Sequence, residues 1–123
     1  MYVSQSLSLA ALETLVHAPP ALLRTPWVAV SADVPEELVE PLDRSALPPD
    51  WNAFPGPQEV QRHGDEWARS LSRAVLEVPS AVIPSESNYL LNPLHPDFAR
   101  VVVAKKFLPF TFDRRLGTSA GRS

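Results

Sequence analysis

Two parts of the sequence place polar side chains among apolar ones, and the first is Val78–Pro93. Ser80 follows Pro79 at the end of an apolar run, and Asn88 and Asn92 bracket Tyr-Leu-Leu. Because a buried amide needs hydrogen-bond partners, both asparagines are expected to hold backbone or a ligand. A hydroxyl at a strand break beside two half-buried amides is typical of a small-molecule site. The alternative is that the serine makes a turn and the asparagines cap loops.

The second part is Leu7–His17, which has the pattern of a helix that is apolar nearly all round. Such a helix is usually buried, so a carboxylate within it must be paired, hydrogen-bonded or functional. That carboxylate is Glu13. The competing interpretation is an exposed i,i+4 pair between Glu13 and His17 at the helix flank.

The remaining elements predict an α/β domain. Proline-bounded apolar runs predict strands at 27–32, 74–78, 81–83, 101–104 and 107–112, and Met1–Val3 resembles the end of a strand. A second helix is predicted at Gln58–Ser70, with a start delayed to about Asp65 if Gly64 weakens its middle. Residues 41–58 are expected to be an ordered loop held by Trp51 and Phe54, and Glu36–Glu40 an acidic surface turn.

Length and composition exclude several functions. A chain of 123 residues fits one domain, and a net charge of −3 disfavours nucleic acid as a direct partner. No run is long enough to span a membrane and no signal peptide precedes the domain, so a cytoplasmic protein is expected. The absence of cysteine and the spacing of the three histidines predict no metal site. Ser80, His95 and Asp97 could be written as a hydrolase triad, but the serine lacks the usual elbow motif.

Several segments together resemble the RES domain, the toxin half of bacterial toxin–antitoxin pairs. Tyr2 followed by SLSLAALE to Glu13 is similar to the tyrosine, helix and glutamate of that family, and VPSAV around Ser80 to its serine motif. Three further segments resemble the later elements of that family: GD-x-W, NYLLNP-x-HP and FTFDRRL. The resemblance implies a RES domain over residues 1–116 and a disordered tail at 117–123.

The family is named for an arginine, a glutamate and a serine, of which Glu13 and Ser80 match two. In the family the arginine lies upstream of the tyrosine, in a glycine-rich segment without a counterpart here. The domain is therefore expected to be incomplete at its N-terminus, with a sheet edge left uncovered.

The resemblance implies a mixed sheet flanked by helices, related to ADP-ribosyltransferases, and a toxin that degrades NAD⁺ by cleaving the nicotinamide–ribose bond with water or phosphate. Glu13 and Ser80 would be catalytic, and Tyr2, Ser80 and Asn88 would bind substrate. NAD⁺ would be the substrate, with no cofactor. An Xre-like helix-turn-helix antitoxin is the expected partner, and a homo-oligomer is also considered. The alternatives are an inactive fragment that only binds an antitoxin or another subunit, and an ADP-ribosyltransferase acting on a protein.

Overall fold

The computed structural model describes residues 1–53, 56 and 58–116; the predicted tail at 117–123 and Phe54 lie outside the described residues. The described chain forms α1 (Leu7–His17) and α2 (Gln58–Ser70). Its strands are β1 (Tyr2–Ser4), β2 (Trp27–Ala29), β3 (Ala32–Asp33), β4 (Val39–Pro41), β5 (Val75–Pro79), β6 (Ser87–Leu91), β7 (Val102–Val103) and β8 (Leu108–Phe110). Single 3₁₀ turns lie at Pro20–Arg24, Glu36–Leu38, Arg44–Ala46 and Pro96–Arg100.

The main sheet has four strands in the order β1-β6-β5-β4. Strand β6 is antiparallel to both β1 and β5, whereas β4 runs parallel to β5, so the sheet is mixed. The pairing extends across both sides of the central strands, and β1 forms one edge of the described sheet. This architecture confirms the predicted fold class of a mixed sheet with helices.

The two faces of this sheet have different roles. Val75 of β5 pairs across the sheet with Leu91 of β6, and these side chains form the core with Leu38 and Ala74. Neighbouring positions on each strand point to the opposite face. On that opposite face, Val78 of β5 pairs with Asn88 of β6. The same face packs against α1 and α2. The candidate site is therefore on the helix-covered face.

Several predicted strands are shorter than expected or absent. The predicted strand 27–32 divides into β2 and β3, which pair with β8 and β7 in separate two-stranded sheets. The strand predicted at 81–83 is wrong, because those residues form bends that lead into the turn at 84–85. The acidic surface turn is also corrected: Leu38 within it is buried, and the next residues form β4. Glutamates on both sides of Leu38 concealed this core position.

Helix α1 begins at an N-cap serine and ends before two prolines. Ser6 accepts a hydrogen bond from the backbone N–H of Leu9 at 3.1 Å, which satisfies one of the free donors at the helix start. The prediction that this helix is buried all round is wrong. Only Leu9 and Glu13 are buried on it, four residues apart on one face, while side chains such as Leu12 remain partly exposed.

Helix α2 runs from Gln58 to Ser70 without interruption, which confirms its predicted bounds, and the delayed start near Asp65 does not occur. Gly64 lies within it, and a Cβ built there would make ordinary contact, 3.8 Å from the Leu90 Cδ1. The helix therefore lies directly against β6. Within the described residues, no helix has the length and hydropathy needed to cross a membrane.

Candidate active site

The candidate site is centred on Glu13, whose side chain lies under α1 against the sheet. Only 9% of this residue is exposed. Leu9, one turn earlier on the same face, is fully packed and anchors the helix to the sheet. A carboxylate in this position requires donors, since burying an unpaired charge is strongly unfavourable.

One donor comes from strand β6 and the other from the residue that directly follows β5. Ser80 Oγ donates to Glu13 Oε1 at 2.7 Å, and Asn88 Nδ2 donates to the same oxygen at 2.9 Å. Asn88 is itself held, because Ser4 Oγ donates to its Oδ1 at 2.6 Å. We call the four residues Ser4, Glu13, Ser80 and Asn88 the carboxylate network. It fixes one oxygen of Glu13 through two donors, both of which are neutral groups.

Ser80 is positioned by the turn that ends β5. Its backbone N–H donates to Glu86 O at 2.8 Å, and its hydroxyl oxygen accepts from the backbone N–H groups of Val82 and Ile83 at 3.1 and 3.0 Å. With both N–H groups on its lone pairs, the hydroxyl has its single proton left for Glu13. The turn interpretation of Ser80 is therefore confirmed, and the same hydroxyl contacts Glu13.

Tyr2 and His17 lie beside the same carboxylate. Partial burial, and then the charge and a hydrogen bond of Glu13, raise the pKa of the Tyr2 phenol to about 12. The phenol therefore stays protonated at physiological pH and can act as a donor. His17 Nε2 lies 3.9 Å from Glu13 Oε2, so the helix-flank pair predicted as an alternative is present together with the buried network.

A cleft of about 510 Å³ opens beside Glu13 on the helix-covered face of the sheet. Its walls are mostly apolar, with aromatic rings from Trp51 and Trp67. The polar and charged side chains that line it are Tyr2, Glu13, His17, Gln61, His63 and Asp65. The lining includes two carboxylates and no lysine or arginine side chain, so the cleft favours a cationic or neutral ligand.

Two of the predicted site residues lie behind Glu13 and outside the cleft. Ser80 is completely buried and Asn88 is 1% exposed, and neither lines the cleft. The Ser80 hydroxyl and one N–H of the Asn88 amide donate to Glu13, so direct contact of these two side chains with substrate stays a prediction. We assign both as positioning residues for Glu13. Tyr2 and Glu13 do line the cleft, which is compatible with direct contact with a ligand.

Two residues at the site were not predicted. Residues i and i+2 of a strand share a face, so the spacing of Ser4 from Tyr2 is the signal that could have found it. Trp67 of α2 lines the cleft. No sequence signal identifies it as part of a cleft, because the cleft is formed by segments distant in sequence.

Within residues 1–53, 56 and 58–116, no three His, Asp or Glu side chains are grouped to hold a metal ion.

Comparison with known proteins identifies the family. The RES domain family matches residues 1–113, and the chain belongs to this family, as the sequence motifs predicted. The chain is 42% identical over 116 residues to the protein named Toxin Res of Photorhabdus laumondii, a match that covers 94% of this chain and 74% of that protein.

Two further relatives extend this similarity. Toxin Res of Yersinia enterocolitica is 34% identical over 116 residues, covering 94% of this chain and 76% of that protein. A protein of a Sphingobium species named Prs ADP-ribosylating toxin is 35% identical over 119 residues, covering 94% of this chain and 73% of that protein. The family thus includes proteins named as toxins, one of them by an ADP-ribosylating activity.

Proposed function

We propose that this protein is a toxin that cleaves the bond between nicotinamide and ribose in NAD⁺. The observation that carries the proposal is the buried carboxylate of Glu13, held on one oxygen by Ser80 and Asn88, at the wall of an apolar cleft. The names of the relatives support a toxin, and the ADP-ribosylating name supports chemistry at this bond, since ADP-ribosylation also breaks it.

Glu13 would act on the charge that develops at the ribose. Departure of nicotinamide leaves an oxocarbenium-like centre on the anomeric carbon. A carboxylate already oriented in an apolar cleft stabilises that positive charge more strongly than one in water. The carboxylate network supports this role because its donors are neutral groups that fix the orientation of Glu13 without adding a compensating positive charge. No reorganisation of the carboxylate is then needed during the reaction.

Tyr2 would contact the substrate directly. Its ring lines the cleft beside Glu13 and offers a flat surface for nicotinamide or ribose. Because its pKa is raised, the phenol remains neutral and does not add a second negative charge beside the carboxylate. The diphosphate of NAD⁺ would be met by the arginine that the family places upstream of this tyrosine.

Transfer of ADP-ribose to a protein is the second candidate function. It is favoured by one specific observation, the name of the Sphingobium relative. Hydrolysis, phosphorolysis and protein modification share the first bond cleavage and differ only in the acceptor at the anomeric carbon. Glu13 would serve all three, so the acceptor must be identified by product analysis.

We also propose a helix-turn-helix antitoxin of the Xre-like kind as partner. A partner that covers the open side of the cleft near Tyr2 and His17 would block access to Glu13 without entering the buried network. Co-purification with the product of the neighbouring gene tests this, and loss of binding to a Tyr2→Lys variant is expected. Binding that survives this substitution unchanged would place the contact elsewhere.

The test of the reaction is incubation with NAD⁺ and chromatography of the products. The assay uses the 123-residue chain and a version that carries the in-frame upstream sequence, each with and without phosphate or cell extract. Free ADP-ribose indicates hydrolysis, a phosphorylated ADP-ribose indicates phosphorolysis, and labelled protein indicates transfer. Antitoxin binding without nicotinamide release from either form would support the alternative of an inactive binding protein and overturn the proposed reaction.

A further inference from the structure

His17 is the last residue of α1, one helical turn after Glu13, and both residues line the cleft. Its Nε2 lies 3.9 Å from Oε2 of Glu13, the carboxylate oxygen to which neither Ser80 nor Asn88 donates. This separation is too long for a direct hydrogen bond, but one water molecule can hydrogen-bond to both atoms across it. The pair therefore offers two acceptors for a single small molecule beside the carboxylate.

The two side chains differ in their contact with solvent. The side chain of Glu13 is 11% exposed and that of His17 is 63% exposed. A base must pass each proton that it takes to solvent, and an exposed imidazole does so more readily than a buried carboxylate. In the last turn of α1, the free carbonyl groups of the helix also favour a positive charge on this side chain. His17 is therefore suited to carry a proton from the cleft to water.

The other titratable groups of the cleft wall are less suited to this task. The Met1 amino group is a donor to a backbone carbonyl, and the Tyr2 phenol stays protonated because its pKa is raised to about 12. Glu13 would lose the charge that the reaction needs if it took the proton itself. His63 and Asp65 of α2 also line the cleft and are the competing bases.

We propose that His17 is the general base that takes a proton from the water that attacks the anomeric carbon. This inference rests on the proposed function and names water as the acceptor that the site activates. The water oxygen bonds to the anomeric carbon as the bond from that carbon to the nicotinamide nitrogen breaks, and the bonding electron pair leaves with neutral nicotinamide. One water proton passes to Nε2 of the neutral imidazole and then to solvent, so the products are ADP-ribose, nicotinamide and a proton.

The test compares an acceptor that needs a base with one that does not. Chromatography measures the products from NAD⁺ for the parent protein and His17→Asn, in whichever of the two assayed forms releases nicotinamide. We expect His17→Asn to melt close to the parent protein and to form ADP-ribose about 10²-fold more slowly. Azide is an anionic nucleophile without a proton to lose, so it should restore nicotinamide release by this variant and yield ADP-ribosyl azide.

The pH profile of hydrolysis separates His17 from the other histidines. His17→Asn should move the fall in rate on the acidic side to lower pH, where only carboxylates titrate. His95→Asn is the matched control, because His95 lies outside the cleft and asparagine can still accept from the Asp97 N–H, as its Nδ1 does at 3.0 Å. It should keep the parent rate and profile. If His63→Asn or Asp65→Asn gives the azide-restored loss instead, the base is that residue and the inference is overturned.

The role of His17 and the proposed function can fail separately. ADP-ribose formation at the parent rate by His17→Asn, or a loss that azide does not restore, would contradict the role of His17. Nicotinamide release with only a phosphorylated or protein-bound product would contradict it too, because water is then not the acceptor. These results leave the cleavage of NAD⁺ intact, whereas no nicotinamide release from either assayed form contradicts the proposed function, and the base with it.

Discussion

At the scale of single residues, the orientation of the Glu13 carboxylate depends on neighbouring side chains that do not line the cleft. Ser80 and Asn88 both donate to Oε1, and Ser4 in turn fixes the amide of Asn88. Charge-assisted hydrogen bonds of this kind are stronger than neutral ones. On the proposed function, the three donors would therefore affect catalysis through the orientation of the carboxylate.

Ser80→Ala tests this positioning role. Loss of a buried hydrogen bond to a charged group should lower the free energy of unfolding by about 1.5–3 kcal/mol. It should reduce kcat by on the order of tenfold, less than loss of a direct electrostatic partner. KM should change little, because Ser80 is buried away from the cleft.

The matched control is Ser72→Ala. Ser72 also donates to a glutamate, Glu40, at 2.7 Å, but on the exposed surface. That substitution should change the free energy of unfolding by less than about 0.5 kcal/mol and leave kinetics unchanged. A rise in KM at constant kcat for Ser80→Ala would contradict the positioning role and restore direct contact with substrate.

Tyr2 provides a test by pH. In a Tyr89→Phe background, phenolate absorbance should report a pKa of about 12 for Tyr2 instead of the ordinary 10.0. Adding Glu13→Gln should lower that pKa without restoring the ordinary value, because burial remains the largest cause. A wild-type pKa at the ordinary value would show that the phenol is not beside the carboxylate.

The same shift has a consequence for stability. Because the folded state holds the phenolic proton more tightly, the contribution of Tyr2 to stability is complete below pH 10.0 and is lost as pH rises toward about 12. Chemical denaturation across this range should show a loss for the parent protein that is smaller in Tyr2→Phe. An identical pH dependence in the two proteins would contradict this assignment.

At the scale of elements, α1 carries Glu13 to the sheet, and its first turn depends on Ser6. Ser6→Ala removes the acceptor for the Leu9 N–H and should lower the free energy of unfolding by about 1 kcal/mol. Ser6→Asp, which restores a capping oxygen, should retain most of the stability. Urea denaturation measures both, and equal loss in the two variants would show that the cap is not the cause.

The sequence predicts an element best when its hydrophobic pattern fits only one environment in the fold. Strand β5 is found within one residue of its predicted position because its run is apolar except for Glu77, and Val75 and Leu76, on opposite faces, are both buried. Helix α1 has correct bounds but a wrongly predicted environment. Its apolar side chains exceed what one sheet face can cover, so Leu7 and Val16 remain exposed.

The site could be predicted only in part. Glu13 and Ser80 were identified by residue type and by family resemblance, but their contact joins residues 67 positions apart and has no local signal. The cleft depends on how α2 lies on β6, which no periodicity specifies.

At the scale of the whole molecule, the described sheet ends at β1, and several large apolar side chains are exposed. They include Met1, Val28, Leu94, Val102, Val103, Phe107 and Leu108. An open strand edge and exposed apolar surface both favour association. We expect the purified 123-residue chain to form concentration-dependent oligomers unless a partner covers these surfaces. Light scattering after gel filtration measures this, and a monodisperse monomer at all concentrations would contradict it.

The central claim is that the charge of Glu13 drives cleavage of NAD⁺. Glu13→Gln is the decisive variant, because its amide oxygen can still accept from Ser80 and Asn88 while the charge is removed. Glu37→Gln is the matched control, at an exposed glutamate that pairs with Arg100. Both variants should melt close to the parent protein, so that any loss of activity is not a loss of folding.

The direct measurement is the rate of nicotinamide release from NAD⁺ by the parent protein and these two variants, in whichever of the two assayed forms is active. We predict a fall of about 10²–10³ for Glu13→Gln and no change for Glu37→Gln. A folded Glu13→Gln protein that releases nicotinamide at the parent rate would show that the carboxylate is structural and would contradict the account.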